Sequence, residues 1–220
     1  MTRGVVTLVF DDGYERVYAQ VLPFLRRYGM RAVFAVPTDT ENIERAEGAP
    51  AAPFAAWQRA CAEQGHEFAA HGMSHSALPT LTDAELEQEL RESQKATGAI
   101  TLVYPGGAYD ARVVQATRSL FRAARTVRPG FEPLPSRDHY RLHSFVATRD
   151  NFQVWKWNLR VLWAWLTNRW LIECYHNVSL GPDADDEKRH TVPLKALEQH
   201  LRFLRRLPIR IATIRDMTHP

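Results

Sequence analysis

The chain has 220 residues, 45% apolar and 24% charged, a balance that suits a globular protein large enough to bury one core without covalent staples. A formal net charge of +3, carried mainly by scattered arginines with no basic block, argues against a nucleic-acid binder, and no run is apolar for long enough to cross a bilayer. Two cysteines, Cys61 and Cys174, are too few for a disulfide framework. Only Met1–Gly4 precedes the first strand pattern, so the expectation is a cytoplasmic protein, with one domain over residues 1–220.

In chain order, Val5-Val6-Thr7-Leu8-Val9-Phe10 is a strand-length apolar run that ends in Asp11-Asp12-Gly13. Its β-branched and leucine content fits a strand buried on both faces, as in a parallel sheet. Two adjacent aspartates stop it and Gly13 lets the backbone turn. Residues 14–28 have helical spacing, with Pro23 as a kink point and Gly29 as the stop. Residues 31–36 read as a second strand, 38–53 as an irregular loop, 54–64 as a helix and 66–70 as a third strand. Thr82-Asp83-Ala84-Glu85 has capping-box spacing and opens a helix through about residue 97.

Residues 100–104 form a fourth strand pattern that runs into Pro105-Gly106-Gly107, and Asp110 caps a helix to about residue 120. Further strands are read at 121–127, 142–147, 170–175 and 209–214. Helices are read at 151–167 and 194–207, a Pro-rich loop at 129–141 and an acidic loop at 179–190. About seven strands alternating with helices argue for a parallel α/β domain, barrel-like or doubly wound.

Polar groups recur where strands stop. In α/β folds the carboxyl ends of strands are where ligands and chemistry sit. Asp11 and Asp12 end the first strand; taken alone they fit helix capping as well as a site. His71 and His75 follow the third strand, and a four-residue spacing on a helical turn lets two imidazoles grip one ion, although nine histidines also make such a pair by chance. Two imidazoles and one carboxylate leave a coordination position open, as catalytic metal sites do. Tyr104-Pro105-Gly106-Gly107 is an ordinary Pro-Gly turn or an oxyanion hole of bare backbone N–H groups. His176 terminates the strand that contains Cys174.

Phe10-Asp11-Asp12-Gly13, His71-x-x-x-His75, Tyr104-Pro105-Gly106-Gly107 and the strand ending in His176 resemble, in order and spacing, the polysaccharide deacetylase family (the NodB-homology domain, a carbohydrate esterase type). The resemblance runs along essentially the whole chain. It implies a distorted (β/α) barrel of about seven parallel strands and metal-dependent removal of an N-acetyl or related N-acyl group from an amino sugar in a poly-, oligo- or lipid-linked saccharide. Asp12, His71 and His75 would hold a divalent ion, most plausibly Zn2+. Asp11 would be the general base, and His176 the acid that protonates the departing amine. Tyr104, Pro105 and Gly106 would border the substrate, with backbone N–H near Gly106 facing the oxyanion. Alternatives are hydrolysis of a C–N bond in a small non-sugar amide, or a carbohydrate-binding relic with a broken site.

The sequence departs from the family at three points. The arginine that orients the base in many members is replaced at the aligned position by Val103, as in a Tyr-Pro-rich subset; Asp150 is the candidate partner for the acid histidine; and Gly106 stands where tyrosine is common. Four of six tryptophans lie between Trp155 and Trp165, with Lys156 and Arg160 among them. This stretch reads first as a helix packed on the barrel, next as a sugar-stacking wall, and third as a peripheral contact with a membrane or lipid-linked substrate. Arg202, Arg205, Arg206 and Arg210 read as a solvated helix face.

Overall fold

The computed structural model describes residues 3–181 and 188–219. β1 (Val5–Asp11) is buried along its whole length, as its apolar run requires. Around it β2 (Val33–Val36), β3 (Glu67–Ala70), β4 (Thr101–Val103), β5 (Ala123–Arg125), β6 (Phe145–Val146) and β7 (Trp170–Tyr175) lie parallel in the order β5-β4-β3-β2-β1-β7-β6. The sheet curls until one short segment bridges its two ends. Leu142 exchanges backbone hydrogen bonds with Ala124 (3.0 Å) and Thr126 (2.9 Å) beside β5. Three residues on, Phe145 and Val146 pair with β7. The result is a distorted barrel of seven parallel strands, as the resemblance implies. β8 (Asn177–Ser179) and β9 (Thr191–Pro193) form a separate parallel pair, and β10 (Arg210–Ile211) joins β1 at Val5 and Val6.

Helices α1 (Leu22–Tyr28), α2 (Glu41–Glu47), α3 (Phe54–Gln64), α4 (Asp83–Thr97), α5 (Ala111–Leu120), α6 (Val154–Thr167), α7 (Leu194–Arg206) and α8 (Ile214–Thr218) complete the chain. Strand side chains alternate between the two faces. Val5 and Val9 therefore sit in the inner cluster with Val33, Val103, Ala123 and Ile172, while Val6, Leu8 and Phe10 pack outward under the helices. The predicted caps are present: Thr82 and Glu85 form a reciprocal box, and Asp110 accepts from the Val113 N–H at 2.8 Å.

Three local expectations differ from the structure. The helix at 14–28 is split, with a wider π turn at Val17–Val21 before α1, because Pro23 offers no N–H and crowds the preceding turn. Within 38–53, α2 forms although only Ile43 on it is buried, so no apolar periodicity announces it. The last strand stops at Ile211, because Thr213 and Asp216 form a capping box that starts α8. The expected acidic loop extends into residues 182–187, which lie outside the described residues.

At the foot of the barrel the Ala32 N–H donates to His66 Nδ1 at 3.1 Å, which only a neutral ring can accept. Burial, then the nearby Arg31 charge, pushes His66 down to about 4. An unfolded histidine titrates near 6.5, so between about pH 6.5 and 4 the unfolded chain binds the extra proton and stability falls as pH falls. The urea midpoint should drop across this window, and His66→Asn, whose amide oxygen can accept the same bond, should remove this residue's share of the slope.

Candidate active site

A cavity of about 660 Å³ opens at the carboxyl ends of the strands and is lined by Asp11, Asp12, His71, His75, Gly106 and His176 among others. Asp11 follows Val5 and Val9 on the inner face of β1. Arg125 at the end of β5 reaches across to ion-pair with Asp11 Oδ2, both side chains being buried. The Cys174 thiol donates to the same oxygen at 3.2 Å, and burial keeps that thiol protonated by raising its pKa well above the usual range. Asp11 Oδ1 has no hydrogen-bond partner among the described residues. Burial works against the charged form of Asp11, but the Arg125 guanidinium and the nearby His71 and His176 hold its pKa below the ordinary carboxylate value.

Consecutive strand residues face opposite ways, yet Asp12 also lines the cavity. The backbone makes this possible: Asp12 and Gly13 adopt φ of 72° and 74°, reversing the chain at once. A Cβ on Gly13 would lie 2.7 Å from a Val36 methyl, so the turn demands glycine. Trp57 Nε1 and the Ala52 N–H pin the turn by donating to the Gly13 carbonyl at 3.0 and 2.9 Å.

Asp12 Oδ1 lies 3.3 Å from His71 Nε2 and 3.5 Å from His75 Nε2. These distances match the edges of a tetrahedron with metal–ligand bonds of about 2.0–2.1 Å, which are roughly 3.3–3.4 Å long. Asp12 Oδ1 is buried without a hydrogen-bond donor among the described residues, as a ligand oxygen should be. His71 Nδ1 sits 2.8 Å from the Val103 carbonyl, which calls for a proton on Nδ1 and leaves Nε2 as the lone-pair nitrogen. Burial above all pushes His75 down to about 4, so at neutral pH it is uncharged. Burial opposes ionisation of Asp12, but the close approach of His71 and the surrounding imidazoles hold it far below the usual carboxylate range. The residues therefore fit a divalent ion bound by two nitrogens and one oxygen. The second group of potential ligands, Asp11, Cys174 and His176, fits poorly, because Arg125 already neutralises Asp11 and the thiol stays protonated.

The two histidines do not meet on a helical turn. Residues 71–75 form a loop in which Gly72 and His75 have φ of 76° and 59°, and the rings come to 4.8 Å centre to centre. Glu89 on α4 shapes this loop: its Oε1 accepts from the Met73 N–H (2.8 Å), the Ser74 N–H (2.7 Å) and the Ser74 hydroxyl (3.1 Å).

His176 Nε2 lies 3.8 Å from Asp11 Oδ2, and its ring packs on His190 at 4.7 Å. Asp150 is not its partner. That carboxylate is exposed, 3.5 Å from Arg149. Tyr104 borders the cavity but is almost fully buried, its hydroxyl donating to the Tyr140 carbonyl at 3.0 Å. Pro105 is buried behind it, and Gly106 takes φ of 57° with open space where a Cβ would point. Sequence reasoning missed Arg125, Glu89 and His190. Only Arg125 left a local signal, an arginine closing the otherwise apolar strand pattern at 121–127.

Glu89→Ala strands two loop N–H donors and should weaken divalent-ion affinity about 10–100-fold by calorimetric titration while leaving the far-UV circular dichroism unchanged. Arg125→Met leaves a buried carboxylate without a counter-charge and should cost about 3–5 kcal/mol in urea unfolding. Adding Asp11→Asn should recover most of that loss.

Comparison with known proteins gives the geometry a context. A family model described as polysaccharide deacetylase matches residues 1–122. The Bacillus subtilis (strain 168) protein YxkH, provisionally named a polysaccharide deacetylase, is 27% identical over 147 residues, 63% of this chain and 50% of that protein. The match thus spans half the length of that relative. Among solved structures, the Xyl-CE4 domain of a multidomain xylanase from the hindgut metagenome of Trinervitermes trinervoides superposes with a TM-score of 0.62 at 16% identity, covering 98% of this chain and 89% of that one. The Bc1960 peptidoglycan N-acetylglucosamine deacetylase gives 0.60 at 15% identity, with 98% and 88% covered. BA3943, a CE4 family pseudoenzyme from Bacillus anthracis, gives 0.59 at 12% identity, with 98% and 66% covered. At these identities the structures speak to the fold alone. The family model covers more than half of the chain, and with it the Asp11-Asp12 and His71-x-x-x-His75 motifs: this protein belongs to the polysaccharide deacetylase family.

Proposed function

We propose that the protein is a metal-dependent hydrolase that removes an N-acetyl or related N-acyl group from an amino sugar in a saccharide, with Zn2+ as the ion. The observation that carries this reading is the convergence of Asp12, His71 and His75 at tetrahedral-edge distances, with the free oxygen of Asp11 beside them in one cavity. When bound, the ion would supply positive charge that polarises a water and the amide carbonyl.

An amide is a poor electrophile with a poor leaving group, so the chain's own residues divide the work. Arg125 and Cys174 occupy Asp11 Oδ2, which fixes the carboxylate and keeps it ionised. Oδ1 then takes the proton from the attacking water. The Gly106 N–H, on a turn with no side chain in the way, donates to the developing oxyanion. His176 gives a proton to the departing nitrogen, its ring packed against His190 and its Nε2 3.8 Å from Asp11 Oδ2. With Arg125 at Asp11, the missing arginine at Val103 no longer favours a broken site, and the amino-sugar substrate follows the family.

Asp11→Asn should retain zinc and lose about 10²–10⁴-fold in turnover, read as acetate released from N-acetylglucosamine oligomers. His75→Ala should lose zinc and turnover together, by metal analysis of the purified protein. Wild-type turnover in Asp11→Asn would overturn the mechanism, and zinc-dependent release of formate or ammonia from a small non-sugar amide instead would move the substrate to the alternative class.

A further inference from the structure

Helix α6 is apolar on both sides. Trp157, Val161 and Ala164 are buried against the barrel, as the first reading of this stretch expected. On the opposite face Trp155, Leu159, Trp163 and Leu166 are 59%, 54%, 57% and 63% exposed. Their spacing of four, four and three residues puts them on one stripe roughly 16 Å long. Few large apolar side chains are this exposed among the described residues, and these four stand together.

The charged residues of α6 itself are both basic. Helix α6 carries no carboxylate; its exposed Lys156 has Nζ 5.4 Å from the Trp155 ring centre, while Arg160 turns to the cavity side over Phe145 and Trp157. Helix α7 packs alongside. It repeats Lys195, Arg202 and Arg206 at helical spacing, all exposed, and its single acid, Glu198, is paired with Arg202 at 2.6 Å. Among the described residues no helix is long and apolar enough to cross a membrane.

We propose that the α6–α7 face is a peripheral docking surface for an anionic lipid bilayer. Tryptophan and leucine enter the headgroup–acyl boundary, where an indole finds apolar chains and a hydrogen-bond acceptor together. Lysine and arginine on the adjoining helix meet lipid phosphates. Charge favours this occupant over a second copy of the chain, because a second copy presents the same basic α7 rather than an anionic surface. Binding at this face is independent of the hydrolase reading and is measured without turnover.

The test is co-sedimentation of the full chain with vesicles of phosphatidylcholine, with or without phosphatidylglycerol. Partition should be at least about tenfold stronger on the anionic vesicles, with a blue shift in tryptophan emission. Trp163→Ser with Leu166→Ser should lower partition about tenfold or more, and Lys195→Gln with Arg206→Gln should abolish the preference for phosphatidylglycerol. Both pairs are exposed and should leave the circular dichroism spectrum intact. No partition on either vesicle, or equal partition of wild type and Trp163→Ser/Leu166→Ser, overturns the proposal. So does a concentration-dependent dimer in sedimentation velocity that the same pair dissolves, since the face would then belong to a second copy.

Discussion

A guanidinium and a carboxylate face each other in the buried upper layer of the barrel, and the site is built around that contact. Asp11 is carried there by β1 and Arg125 by β5, strands separated in the sheet by β2, β3 and β4. They meet because the sheet curls. Neither charge is tolerable alone in such burial, so the barrel must close enough to pair them. The bridging segment at Leu142–Val146 belongs to the same requirement, since Ser144 from it lies 3.4 Å from Arg125 Nη1. Closure of the sheet and ionisation of Asp11 are two aspects of one constraint.

Adjacent carboxylates with separate tasks need separate surroundings. Asp11 is satisfied on one oxygen by a fixed cation and a thiol. Asp12 faces two imidazoles and has no fixed cation within ion-pair distance among the described residues. The backbone separates them: Asp11 ends a regular strand, while Asp12 enters the left-handed region. Of the three described non-glycine residues with positive φ, two are Asp12 and His75. Strain of this kind persists only where surrounding bonds over-determine it. Trp57 and Ala52 at the Gly13 carbonyl, and Glu89 beneath the His71–His75 loop, supply those bonds.

The parallel strands and most helices were legible because long buried runs and capping residues act locally. Asp11, Asp12, His71, His75 and His176 stood out because each breaks an apolar pattern at a strand end. Two features escaped for different reasons. Glu89 lies on the inner side of a polar helix whose other acids are solvated, so its composition gives no hint of burial. Arg125 was visible as an oddity, but its partner is set by curvature of the sheet, which no local pattern encodes. The arginine sought at Val103 comes instead from the next strand, and Val103 contributes its carbonyl to His71.

The same local logic explains why the tryptophan-rich stretch resisted a single reading. Trp157 and Trp163 are six residues apart, so a helix turns them to opposite sides, one fully buried and one mostly exposed. Composition alone treats both as core. Once the barrel face of α6 is satisfied by Trp157, Val161 and Ala164, the outer tryptophans and leucines have no packing left to do inside the described fold. Arginines on α7 that look like an ordinary solvated face take on meaning only beside that stripe. The bilayer proposal thus rests on a juxtaposition made by the fold, two helices side by side, rather than on either sequence read alone.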